Sequence, residues 1–207
     1  MNAEEREKVN HPSRLKQASM LLAAALFVLY PVFVYYAIQA GNVRRGALLL
    51  FLIYLPLGVA RLLWGKRSRL GGVQLIPLLT LGAIALSYLF SEAGLLLITP
   101  TLINWSLLLV FAATLFTDRP MIERFARLID PNLGKERQRW CSLWTYIWCG
   151  FFALNGGVAL LLAMLDERLY WTGYTSIVSY VLMGLLLGGE MALRYLRFGS
   201  LREGSSG

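Results

Sequence analysis

Three polar side chains stand inside otherwise apolar runs of this chain: Asn104, Asn155 and Ser179. Asn104 precedes Thr117, the inner end of its run, by thirteen residues, and Asn155 follows Ser142 by thirteen. Ser179 precedes Leu193 by fourteen. At 1.5 Å per helical residue, all three lie roughly 20 Å above one common face. Side chains at one depth can form one cluster. Two kinds of chemistry are open to it. As interhelical hydrogen bonds they would hold a membrane bundle together at about 0.6 kcal/mol per pair. As the polar floor of an outward-open cavity, flanked by Trp105, Tyr174 and Tyr180, they would receive a ligand.

Arg61 and Glu190 are the only charges well inside apolar runs. A bridge between them would join two helices, because charges at such depth pair or face the bundle interior. Snorkelling of Arg61, or a local pair of Glu190 with Arg194 four residues on, would serve equally. A third candidate is the basic segment between two apolar runs, Thr117 to Arg139. In it Met121, Ile122, Phe125, Leu128 and Ile129 recur at helical spacing, and Glu123, Arg124 and Arg127 occupy the other positions. Pro120 marks its start and Asp130-Pro131 its stop. The pattern predicts an interfacial helix on the inner leaflet, with Arg119, Arg124 and Arg127 toward anionic headgroups or a partner protein. It serves equally as a topological anchor with no partner.

The residues of enzymatic chemistry do not assemble in the sequence. His11 is the only histidine, and it falls in a polar tail. The Gly-x-Ser-x-Gly, Walker, dinucleotide and His-Glu-x-x-His patterns are absent. Cys149 lies in an apolar run, where thiols are unreactive. Glu92 and Asp166 are expected on one side of the membrane, Asp118 and Glu190 toward the other, so no carboxylate pair converges. The expectation is therefore no catalytic residue, no metal and no cofactor. Cys141 and Cys149, eight residues apart on one helix, cannot form a disulfide with each other.

The elements that must position these groups are membrane helices. Of 207 residues, 57% are hydrophobic and 15% charged, where soluble domains carry about 25% charge. Six spans are predicted: Ser19–Gln39, Gly46–Trp64, Val73–Phe90, Thr99–Phe116, Ser142–Leu165 and Trp171–Leu193. The fold expected is all-α: a six-helix membrane domain over 19–196, with one amphipathic helix between spans 4 and 5. A cytosolic tail (1–18) precedes it. A C-terminal tail (197–207) follows, whose final Gly-Ser-Ser-Gly reads as an appended linker. Ala83-x-x-x-Ser87 and Gly184-x-x-x-Gly188 are small-residue faces that would let helices approach closely.

The net charge of +8 sits in the gaps between apolar runs, so a membrane surface is expected as partner and nucleic acid is not. Seventeen Lys and Arg fall on one set of alternating gaps and three on the other. By the positive-inside rule, both termini and the basic elbow are then expected in the cytosol, the topology of a multi-pass inner-membrane protein. A homo-oligomer stays open.

The segment Arg119-Pro120-Met121-Ile122-Glu123-Arg124, followed by Trp148, Phe151-Phe152 and Gly156-Gly157, resembles the intracellular septation protein A (YciB) family of small bacterial inner-membrane proteins. The strings Trp-Cys-Gly-Phe-Phe-Ala-Leu-Asn-Gly and Ser-Tyr-Val-Leu-Met-Gly-Leu-Leu-Leu-Gly-Gly-Glu are more similar still to a sister membrane family. That family is labelled "predicted ketosynthase" and is encoded beside aryl polyene synthesis genes. The likeness covers spans 4 to 6, about half the chain. It implies a role in the cell envelope or in aryl polyene and lipid biosynthesis, with envelope or lipid-synthesis proteins as partners, and it brings no catalytic residue. The expected function is non-enzymatic positioning of a lipid-linked intermediate. A small lipid transporter or flippase and a membrane-bound acyl-transfer enzyme are the alternatives.

Overall fold

The computed structural model describes residues 29–64, 76–165 and 167–199, with the backbone alone at 57, 58, 60–64, 76 and 77. The expected N-terminal tail, the start of the first span, the 65–75 connection and the C-terminal tail lie outside the described residues, as does the Arg61 side chain. Every regular element among the described residues is helical. In chain order they are α1 (residues 29–39), α2 (Val43–Trp64), α3 (Ile76–Phe90), α4 (Ala93–Leu97), α5 (Thr99–Leu115), α6 (Met121–Ile129), α7 (Lys135–Met164) and α8 (Arg168–Phe198).

Several boundaries differ from the sequence expectation. α7 begins seven residues before Ser142, because Lys-Glu-Arg-Gln-Arg are all good helix formers once Gly134 opens the turn with an extended backbone. α8 runs from Arg168 to Phe198 and stops at Gly199, whose φ of 69° is the left-handed conformation that closes helices. Ahead of the fourth span, Ala93–Leu97 form the separate short helix α4. Ser91, at φ 56°, turns the chain ahead of it.

α7, with 30 residues, and α8, with 31, are long and apolar enough to cross a membrane; Leu78–Phe90 and Thr99–Leu115 are shorter apolar helices. Only 28% of the apolar window of α7 and 17% of that of α8 is buried within the protein. The core helix of a soluble protein would be mostly covered. Here Leu109, Leu154, Leu185 and Leu196 point outward at 70%, 74%, 67% and 79% exposure. Exposed apolar side chains on this scale are those of a surface that meets a membrane or another protein.

What is buried forms two separate cores. One joins Tyr30, Val34, Leu50, Tyr54, Ile84, Leu96 and Trp171, at the end of the bundle where α4 and the start of α8 meet α1, α2 and α3. The other joins Phe111, Met121, Ile122, Cys141, Trp144, Trp148 and Phe152, at the end where α6 lies on α7. α5 packs most extensively on α7, and α2 on α3. The Ala83 and Ser87 face of α3 is buried, as its small residues predict, whereas Gly184 and Gly188 of α8 are exposed and meet no neighbouring helix among the described residues.

Candidate functional site

Asn155 sits on α7 between the two cores and is 4% exposed. Its Nδ2 donates to Asn104 Oδ1 on α5 (2.9 Å) and to Ser179 Oγ on α8 (2.8 Å). Its Oδ1 accepts from the Tyr174 hydroxyl at 2.8 Å. The three residues that depth arithmetic placed on one level are thus one hydrogen-bonded cluster with Asn155 at its centre. Both amide hydrogens of Asn155 are used. Asn104 commits one of its own to Pro100 O at 2.8 Å, within its own helix.

The close approach of α5 and α7 that permits this depends on Gly156. A Cβ there would lie 2.7 Å from the Trp105 indole and 3.1 Å from Asn104 Cβ. Thr101 Oγ1 donates to the Gly156 carbonyl at 3.2 Å across the same contact. Trp105 is therefore a packing partner of Gly156. It is not among the residues that wall the cavity, although the sequence suggested that it flanks one. At this level α8 also takes a π-helical turn, Tyr174–Val178, which presents Tyr174 to Asn155. Such turns are rare and concentrate at functional sites.

Beside the cluster is a cavity of about 170 Å³ between the two cores. Asn104, Asn155 and Ser179 form its polar side, and Tyr30, Tyr54, Tyr174 and Tyr180 contribute aromatic walls with Phe152. Tyr30 is fixed by donating its hydroxyl to Leu96 O at 3.1 Å. Trp171 Nε1 likewise anchors α8 to Leu97 O at 3.1 Å. Of the walls, Tyr174 and Tyr180 were expected. Tyr30, Tyr54 and Thr80 were missed, because α1, α2 and α3 reach the site only through tertiary packing. One clue was present: Tyr30 and Tyr54 lie deep in apolar runs, away from the interfaces where membrane tyrosines gather.

Glu190 of α8 is 5% exposed and pairs with Arg194 on its own helix. It also accepts from Trp148 Nε1 at 3.4 Å. The local partner foreseen in the sequence occupies the carboxylate. The proposed interhelical partner, Arg61, has a side chain outside the described residues.

At the elbow, α6 spans the segment that its flanking prolines bound, but it is rotated from the expected orientation. Glu123, placed on the polar face, is 3% exposed and turned inward with Met121, Ile122 and Ala126. It holds Arg127 Nε at 2.8 Å, while Arg127 also donates to Pro131 O. Arg124 donates to Arg119 O at 2.8 Å and to Thr117 Oγ1 at 3.1 Å. Two of the three arginines expected to face headgroups therefore bond the elbow itself, and the outward side carries Leu128 and Ile129. The bundle secures this helix by its first-turn N–H groups: Met121 N donates to Thr114 Oγ1 (2.9 Å) and Ile122 N to Thr145 Oγ1 (3.3 Å).

Among the described residues there is no group of three or more His, Cys, Asp or Glu placed to hold a metal. Both cysteines are free, Cys141 buried and Cys149 half-buried. Compared with protein-family models, curated proteins and solved structures, the chain finds no match.

Proposed function

We propose that this chain is a non-enzymatic, multi-pass protein of a bacterial inner membrane that holds one end of a lipid-linked intermediate in the cavity beside Asn155. The cavity carries the reading. Apolar cavities of about 150 Å³ accept a benzene ring, and this one, at about 170 Å³, has four tyrosines and a polar cluster on its walls. An aryl or unsaturated chain end with one polar group matches that lining, in keeping with the resemblance to proteins encoded beside aryl polyene genes. In this reading the bundle crosses six times with both ends cytosolic. The elbow rests on the inner leaflet through Leu128 and Ile129, and Arg119 is left to meet anionic lipid or an envelope or lipid-synthesis protein.

A lipid transporter is the second reading, favoured by the π-helical turn of α8 in the cavity wall, where a helix can shift register. Acyl transfer draws less support, since the Ser179 hydroxyl adjoins an amide, which cannot take its proton. Native mass spectrometry of the protein released from gentle detergent tests the proposal. A co-purifying lipid or aryl-chain species should accompany the wild type and be depleted from a variant with the cavity filled at Ala159. An identical lipid complement in both would refute it.

A further inference from the structure

The hydrogen-bonding inventory of the cavity narrows what can occupy it. This step rests on the reading that the cavity holds a ligand. Asn155 has no donor left: both amide hydrogens are donated, and its carbonyl accepts from Tyr174. The groups around it are not. Ser179 accepts from Asn155, and its own hydrogen has no acceptor among the described residues. Asn104 donates one amide hydrogen to Pro100 O and retains the other. The Tyr180 hydroxyl, also in the wall, has no protein partner among the described residues. Three residues with a donor unspent among the described residues therefore line one cavity.

No Asp, Glu, Lys, Arg or His is among the described residues that line the cavity. Along α8 the nearest charges, Arg168 and Glu190, each lie eleven residues from Ser179, about 16 Å along the axis at 1.5 Å per residue, and Glu190 is paired with Arg194. A carboxylate or phosphate entering here would lose its hydration and meet no counter-charge among the described residues. A few neutral hydrogen bonds do not offset that cost. A neutral oxygen loses little and finds donors already in place.

We infer that the cavity selects a ligand whose buried end is an uncharged hydrogen-bond acceptor on an aryl or unsaturated group, such as an ester, ketone or alkylated phenol, and that it rejects free acids and phosphates.

The test uses the full chain in phosphatidylcholine nanodiscs at neutral pH and three probes matched in size: methyl 4-fluorobenzoate, 4-fluorobenzoate and 4-fluorotoluene. Binding is read from fluorine NMR line broadening, relative to partitioning into empty nanodiscs. The specific component is that lost in Ala159→Leu, with Met183→Trp as a second filling variant should the first not fold. The ester should bind at least tenfold tighter than the carboxylate. It should bind about fivefold tighter than the toluene, a ratio that Ser179→Ala reduces. A carboxylate that binds as well as the ester, or an ester no tighter than the toluene, overturns the inference while the cavity remains a ligand site. If no probe shows a component lost on filling, the ligand-site reading fails as well.

Discussion

Replacing Asn155 by leucine separates a hub from its spokes. The substitution nearly conserves volume at a site that is 4% exposed, so cavity formation contributes little and hydrogen bonding dominates. Three bonds between α7 and its neighbours are lost at once: to Asn104, to Ser179 and from Tyr174. At about 0.6 kcal/mol for each interhelical bond in a membrane protein, the loss is about 2 kcal/mol. Asn104→Leu removes one such bond, since its other contact lies within α5, and Ser179→Ala also removes one. Each should cost about 0.6 kcal/mol. The discriminating quantity is the ratio, roughly three to one, which survives error in the value per bond. Reversible unfolding in bicelles, by steric trapping or by denaturing detergent, measures it. Leu154→Ala, at a position 74% exposed, supplies the baseline. An Asn155→Leu cost no larger than that of Asn104→Leu would show that Asn155 is not the centre of the network. A double-mutant cycle of Asn155→Leu with Tyr174→Phe should return a coupling of about 0.6 kcal/mol.

Gly156→Val should destabilise by about 2 kcal/mol, the range of overpacked cores, because its Cβ would fall 2.7 Å from the Trp105 indole; Gly156→Val combined with Trp105→Ala should recover part of the loss in the same unfolding assay. Thr145→Val removes the acceptor for Ile122 N and should cost about 1 kcal/mol. Trypsin cleavage within the 119–127 elbow should then accelerate, and Thr145→Ser should restore protection. Glu190→Ala strands Arg194 and the Trp148 indole N–H and should cost about 3 kcal/mol. The double variant with Arg194→Ala should be more stable than Glu190→Ala alone, and the opposite order would argue against the local pair.

The helices and the polar level were legible in the sequence, because both follow from one-dimensional quantities. Apolar run length sets a helix, and 1.5 Å per residue sets depth, so Asn104, Asn155 and Ser179 could be placed together without knowing which helices touch. Azimuth was harder to read. Trp105 neighbours Asn104 in sequence, yet it turns onto Gly156 rather than into the cavity. Glu123 was assigned to the wet face of α6 by its charge, whereas the helical period puts it beside Ile122 and Ala126. There its carboxylate also lies in the first turn, close to the positive end of the helix. The basic residues of the elbow were read as a surface for others. Arg124 and Arg127 instead satisfy carbonyls and a buried acid of their own segment, a use that composition cannot distinguish. The walls contributed by α1, α2 and α3 depend on long-range packing, and only the unusual depth of Tyr30 and Tyr54 hinted at them.

Hydrogen-bonded glue and cavity floor are compatible roles for the Asn155 cluster, because they fall on different atoms. The centre of the network is closed. Every hydrogen Asn155 can donate is used, and its partners come from α5 and α8, so the amide fixes the spacing of the helices that frame the void. The periphery is open, since Ser179, Asn104 and Tyr180 each keep a donor that the described protein does not consume. A network evolved for cohesion alone would turn such donors to the backbone carbonyls of their own helices, as Thr145 and Thr175 do in this bundle. The rigid centre then holds the spare donors at fixed positions, which lowers the entropic cost of binding an acceptor. It follows that Asn155→Leu should weaken ligand retention through the loss of positioning, and Ser179→Ala through the loss of a contact. Only the first should loosen α5 from α8, which amide hydrogen exchange along the 101–108 segment would resolve. Equal exchange in the two variants would place both side chains in the same role.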